Sequence, residues 1–136
     1  MREIIPSQLW IGNARDARDV RRLHELGIRA VVDLAVDEVP SELTRELVYC
    51  RFPLSDGAQE SPDVLAAAIE TVESLIRKSV PLLVACSAGM SRSPAVTSAA
   101  LARIRGANPD VVLIEITQDR PHDVAPSLWS AINAIE

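Results

Sequence analysis

At 136 residues, with 48% hydrophobic and 24% charged side chains, the chain suits one globular domain built on a continuous core. Its 14 basic and 19 acidic side chains leave a formal charge of −5, which argues against nucleic acid as a partner, because binders of that class carry a clustered basic face. No apolar run nears the ~20 residues of a membrane span, and the opening "MREIIPSQLWIGN" lacks the apolar segment of a secretory signal, so the expectation is a cytoplasmic protein without a membrane partner.

In chain order, "QLWIG" (Gln8 to Gly12) reads as a short strand. Asn13 to Leu26 is polar, with Ala14, Ala17, Val20 and Leu23 at roughly helical spacing and Gly27 as the stop, which predicts one helix. "RAVVDLAV" (Arg29 to Val36) and "LVYCRFPL" (Leu47 to Leu54) read as buried strands, and Leu54 to Ser61 as a loop rich in Ser, Asp and Gly. Ser61-Pro62 predicts a helix start, with serine as cap and proline in the first turn. Val64, Leu65, Ala68, Ile69, Val72, Leu75 and Ile76 then trace one face of that helix. "LLVA" (Leu82 to Ala85) reads as a central strand. Helices are predicted from Pro94 to Arg105, Pro109 to Thr117 and Pro126 to Ile135, with Ser93-Pro94, Asn108-Pro109 and Ala125-Pro126 as starts. Strands alternate with helices early and helices cluster late, the pattern of a single α/β domain, residues 1–136, with a short, mostly parallel central sheet flanked by helices.

The segment "LLVACSAGMSRSPAV" (Leu82 to Val96) carries the chemistry. Cys86 is followed six places on by Arg92, a spacing that chance gives to about one cysteine in ten in a chain so rich in arginine. The other cysteine, Cys50, has Asp56 at that distance. Context supplies the weight. Cys86 ends an apolar strand, a helix start follows Arg92, and the residues between include small side chains and a glycine. Such a turn aims successive backbone N–H groups into one concavity, a nest for an anion at a helix N-terminus. Arg92 would close over it with two parallel hydrogen bonds to phosphate oxygens. The same donors stabilise a thiolate, and an unassisted cysteine is only about 3% ionised at pH 7. Two cysteines form no disulfide framework, and His24 and His122 stand at no ligand-like spacing from them, so no structural zinc is expected.

"CSAGMSRS" resembles the Cys-x5-Arg-Ser signature of the protein tyrosine phosphatase superfamily, and its Ala-Gly-x-Ser-Arg-Ser portion looks like the dual-specificity phosphatases. The resemblance covers nearly the whole chain. "IIPSQLWIGNARDARDVRRLHELGIRAVVDLAV" is similar to that family's opening, "RFPLSDG" to the segment that bears its acid, and "DRPHDVAPSLWSAI" to its closing Arg-Pro and helix.

The resemblance implies a protein tyrosine phosphatase-like fold of the dual-specificity type and a two-step hydrolysis with neither metal nor cofactor. Cys86 would be the nucleophile and pass through a phosphocysteine. Arg92 and the backbone of Ser87, Ala88, Gly89, Met90 and Ser91 would bind the phosphate, and inorganic phosphate or sulfate fits the same loop. Asp56, thirty residues before Cys86, matches the general acid by position, with Asp63 as the other candidate; Asp37 follows a different strand and is set aside. Ser93 is expected to donate to the Cys86 sulfur, alongside its reading as a helix cap. Ser91 is read as ordering the loop, His24 and His122 as surface or capping residues, and Trp10 and Trp129 as core packing.

The sequence departs from the family at Ala85, where the family carries histidine, and the loss of that ring implies slower turnover. The expected substrate is a phosphorylated protein or peptide carrying phosphotyrosine or phosphoserine/phosphothreonine. No lysine stands among Ser87, Ala88 and Met90 to favour a highly charged inositol phosphate. The competing expectation is a catalytically weak module that binds phosphorylated partners without turning them over.

Overall fold

Leu82 to Ala85 is an unbroken apolar stretch, and it forms the middle strand of the sheet. The computed structural model describes residues 1–56, 61–118 and 122–135. Its strands are β1 (Arg2–Ile5), β2 (Leu9–Gly12), β3 (Ala30–Ala35), β4 (Val48–Leu54) and β5 (Leu82–Ala85), in the order β1-β2-β5-β3-β4. β1 pairs with β2 antiparallel, and the pairings β2 with β5, β5 with β3 and β3 with β4 are parallel. The mostly parallel sheet expected from the pattern is therefore present, with one antiparallel strand added at its edge. A parallel sheet needs both faces covered, and the period of two along β5 shows how this is done. Leu82 and Val84 face one cluster, with Leu65, Ile69, Val96 and Leu128 from the helices, while Leu83 and Ala85 face another, with Trp10, Ala17 and Leu23.

The helices among the described residues are α1 (Ala14–Arg18), α2 (Val20–Glu25), α3 (Pro62–Arg77), α4 (Arg92–Arg105), α5 (Pro109–Thr117) and α6 (Pro126–Ala134). α3 buries Leu65, Ala68, Ile69 and Val72, with Val64, Leu75 and Ile76 packed partly against the same cluster, as its periodicity predicts. Ser61 stands at its cap position without a side-chain capping bond. α4 is buried from Arg92 through Ala102, and its small residues Ala95, Ala99 and Ala102 let it sit close to its neighbours.

Three expectations about elements need correction, and one strand is additional. β4, read as a buried strand, is an edge strand of the sheet in which only Leu54 is buried. The single helix over Asn13 to Leu26 is two helices, because Asp19 leaves helical geometry and its carboxylate caps α2 by accepting the Arg22 N–H. Ahead of it, Asn13 and Asp16 form a reciprocal capping box that starts α1. β1 was not foreseen, since its four residues carry no alternating signature and Pro6 and Ser7 follow at once in a tight turn with Ser7 at φ 59°. α4 starts at Arg92, two residues before the proline that suggested its start.

Leu83 is fully buried on the central strand. Leu83→Ala is expected to lower unfolding stability by about 2–5 kcal/mol through the cavity it leaves, read as a lower denaturant midpoint with an unchanged slope.

Candidate active site

The three inner parallel strands β2, β3 and β5, and β4 beside them, end on one edge of the sheet, where ligands of open α/β sheets bind. Asn13, Asp37, Asp56 and Cys86 all lie just past those ends. The turn from β5 into α4 is stitched to the end of β2. The Cys86 N–H donates to the Gly12 carbonyl (3.3 Å), and the Ser87 carbonyl accepts the Ala14 N–H (3.1 Å). Gly89 turns the chain at φ 77°, and a Cβ there would lie 2.9 Å from the Gly12 oxygen, so both conformation and space call for glycine.

Cys86 is buried, and its Sγ accepts two backbone N–H groups, from Gly89 at 3.2 Å and from Ser93 at 3.4 Å. Ser93 N–H is one of the first-turn donors of α4 that have no partner within a helix, and the positive end of the helix favours negative charge at the sulfur. Pro94, third in the helix, brings no N–H to that turn and so leaves none unsatisfied. The Ser93 readings change accordingly. Its hydroxyl lies on the Gly12 carbonyl (3.4 Å), its N–H rather than its hydroxyl meets the sulfur, and the cap position belongs to Ser91.

A cleft of about 190 Å³ opens over the sulfur. Cys86, Ser87, Ala88, Met90, Ser91 and Arg92 line it, and Gly89 lines the adjacent cleft on the Gly12 side. Among the described residues, three carboxylates also line it: Asp37, Asp56 and Asp123. Asp56 Oδ1 accepts the Ser91 hydroxyl (2.5 Å), and Ser91 Oγ in turn accepts the Ala125 N–H (3.1 Å). Ser91 therefore joins the loop after β4 to the segment before α6. Asp123 is held there by its own N–H on the Met90 carbonyl (2.7 Å). Asp63, the other acid considered, is exposed in the first turn of α3 and does not line the cleft. The rest of the acid-bearing loop, residues 57–60, and the Arg120-Pro121 pair lie outside the described residues.

Arg92 is 4% exposed, yet its guanidinium is well supplied with acceptors. Nη1 donates to Asp37 Oδ1 (2.7 Å) and to the Leu54 carbonyl (2.8 Å), and Nη2 to Asp37 Oδ2 (3.4 Å). Burial works against the charge of Arg92, but the hydrogen bond to Asp37 and Coulombic attraction within the site outweigh it and raise its pKa above the usual value. The Arg92 hydrogen bond in turn holds Asp37 below the ordinary carboxylate value. Next to it, Glu38 accepts the Ser87 hydroxyl (2.6 Å) and Arg18 Nη2 (2.7 Å), and those two bonds lower its pKa as well.

Glu38 and Asp123 carry no mark in the sequence, and Asp37, set aside there as the acid because it follows a different strand, lines the cleft. The signal for Asp37 was topological: it follows β3, which pairs with β5, so its loop ends beside the Cys86 loop. Ala85 is fully buried in the cluster that holds Trp10, Ala17 and Leu83, and it offers the cradle no polar group. Trp10 is core, as expected, and Trp129 packs partly against the core while its indole N–H donates to Asp110 (2.6 Å). His24 is exposed, with Nε2 3.2 Å from the Thr44 hydroxyl, and His122 is exposed too. Among the described residues, no group of three or more His, Cys, Asp or Glu side chains is placed to hold a metal ion.

Residues 9–136 match the family model described as dual specificity phosphatase, catalytic domain. Dual specificity protein phosphatase Mpk3 of Drosophila melanogaster is 32% identical over 128 residues, covering 92% of this chain and 31% of that protein. Dual specificity protein phosphatase 9 of Homo sapiens is 33% identical over 102 residues, covering 73% of this chain and 26% of that protein. The chain thus spans a third or less of the length of these curated relatives. Among solved structures, human DUSP28 superposes with a TM-score of 0.85 at 26% identity, over 100% of this chain and 95% of that one. The human tyrosine phosphatase-like serine/threonine/tyrosine-interacting protein gives 0.83 at 17% identity, over 98% and 93%, a likeness of fold.

Gly89→Ala forces a Cβ against the Gly12 backbone in a conformation that side chains rarely adopt. The expected outcome is a folded protein whose Cys86 reacts more slowly with iodoacetamide at pH 7, because the Gly89 N–H no longer sits on the sulfur. An unchanged alkylation rate would show that this contact does not govern the thiolate.

Proposed function

The chain belongs to the dual specificity phosphatase family, and we propose that residues 1–136 form one catalytic domain that hydrolyses phosphomonoesters of proteins through a phosphocysteine at Cys86. The observation that carries the proposal is the pair of backbone N–H groups on the Cys86 sulfur with Arg92 lining the same cleft.

In the first step the Cys86 thiolate attacks phosphorus, the ester P–O bond breaks, and the leaving oxygen takes a proton from Asp56. The Ser91 hydroxyl occupies Asp56 Oδ1, which leaves Oδ2 to carry that proton. In the second step Asp56 takes a proton from water as the water oxygen attacks phosphorus and the S–P bond breaks. The departing sulfur is received by the Gly89 and Ser93 N–H groups. Throughout, Arg92 and the loop backbone from Ser87 to Ser91 hold the phosphoryl oxygens, donors fixed in advance where charge develops.

The cleft bears no lysine among its described lining residues, which favours phosphotyrosine and phosphoserine/phosphothreonine in proteins over polyphosphorylated inositols. No described helix is long and apolar enough to cross a membrane; the proposed site of action is the cytoplasm. One observation favours slower turnover, and at its limit a module that binds phosphate without hydrolysing it: Ala85 leaves the sulfur without a side-chain donor from the strand.

Hydrolysis of p-nitrophenyl phosphate separates these readings. Cys86→Ser is expected to abolish release of phosphate while retaining binding of inorganic phosphate. A variant that keeps the wild-type rate removes Cys86 from the chemistry, and a wild-type protein that binds phosphopeptide without releasing phosphate from pH 5 to 8 supports the binding module. Asp56→Asn is expected to lower kcat by roughly 10²–10⁴-fold on an alkyl phosphate, the range of a positioned general acid. The loss on the aryl ester, whose leaving group needs little protonation, should be much smaller. Equal losses on the two substrates would take Asp56 out of the proton transfer.

A further inference from the structure

Arg92 meets the cleft with part of its hydrogen-bonding capacity already committed. A guanidinium has five N–H bonds: two on each Nη and one on Nε. Both Nη1 bonds are taken, by the Leu54 carbonyl and Asp37 Oδ1, and one Nη2 bond points to Asp37 Oδ2. The remaining donors are the second Nη2–H and the Nε–H, and Nε is buried without a hydrogen-bond partner. Those two donors share one edge of the planar group, and side by side they form a fork that fits two oxygens of a phosphate.

We propose that Asp37 is the positioning residue of this site, holding one end of the Arg92 guanidinium so that its Nε–Nη2 edge grips the phosphoryl group. The inference rests on the reading of Cys86 and Arg92 as a phosphate site. Asp37 acts through Arg92 and touches no reacting atom.

The segment carrying Asp37 is built for a fixed position. Arg51 of β4, opposite Asp33 in the register, donates from Nη2 to the carbonyls of Ala35 (3.1 Å) and Glu38 (3.0 Å), bracketing Asp37 on both sides. Asp33 accepts the Ala35 N–H (3.0 Å) and the Tyr49 hydroxyl (2.5 Å). Glu38 is tied to Ser87, the first loop residue after Cys86, while Asp37 is tied to Arg92, the last. Two adjacent carboxylates therefore hold the two ends of the signature loop. The Asp37 side chain is 54% exposed, so it can be replaced without opening a cavity in the core.

A carboxylate on the essential arginine could instead compete with phosphate, and the two roles have opposite signs. In the positioning role, Asp37→Asn weakens inorganic phosphate as a competitive inhibitor by roughly tenfold, within the range by which side chains in contact couple. It also lowers kcat for p-nitrophenyl phosphate. Asp37→Glu, which restores the charge, recovers part of both, and the melting temperatures of all three proteins stay close together. In the competing role, Asp37→Asn binds phosphate more tightly and lowers KM. Tighter or unchanged phosphate inhibition in an active Asp37→Asn protein overturns the inference while leaving the proposed function standing. A wild-type protein that neither hydrolyses the ester nor binds phosphate overturns both, since Arg92 then has no anion to be positioned for.

Discussion

Cys86 Sγ accepts N–H groups from Gly89 at 3.2 Å and Ser93 at 3.4 Å, and the surrounding structure is organised around keeping both on the sulfur. For Gly89 to reach back, the chain must pass through a positive φ directly against the Gly12 backbone. For Ser93 to reach down, α4 must start at Arg92 and be buried from its first residue. The Gly12 carbonyl ties the two requirements together, accepting the Cys86 N–H and the Ser93 hydroxyl at once. The parallel register of β2 with β5, which sets Gly12 opposite Ala85, therefore fixes the geometry at the sulfur.

Electrostatics adds a second constraint. The described cleft presents one cation, Arg92, and three carboxylates, Asp37, Asp56 and Asp123, in a chain whose net charge is −5. Long-range attraction would not gather an anion into such a site; that task would fall to short, aimed hydrogen bonds. Buried charge is costly unless paired and hydrogen-bonded, and Arg92 satisfies that condition through Asp37 and the Leu54 carbonyl. Pairing of this kind lets the arginine stay charged and oriented before any anion arrives, so less ordering remains to be done on binding. Ser91 serves a parallel end for Asp56, linking the loop after β4 to the signature loop and to the segment before α6.

Much of this was legible in the residues. The apolar run of Leu82 to Ala85 fits a strand buried on both faces, the helical period of α3 fits a helix laid against the sheet, and the signature turn carried its own chemistry. Other features were hidden for identifiable reasons. Ser93-Pro94 reads locally as a helix start, but tertiary contacts take the Ser91 hydroxyl to Asp56 and extend α4 back to Arg92. Asp19 looks like one more polar residue of a helix until its carboxylate caps the next one. Asp37 is set aside in the sequence because it follows a different strand, whereas strand order puts β3 beside β5 and brings its loop to the Cys86 loop. Residues whose role depends on which strands are neighbours cannot be read from spacing alone.

Acid quenching of the protein during turnover of an aryl phosphate, followed by peptide mass spectrometry, tests the chemistry at its centre. A phosphoryl group on the Cys86 peptide, absent from Cys86→Ser, is the predicted result. Steady release of phosphate with no phosphoryl group on Cys86 at any quench time, or with one on another residue, would contradict the assignment of this sulfur as the nucleophile.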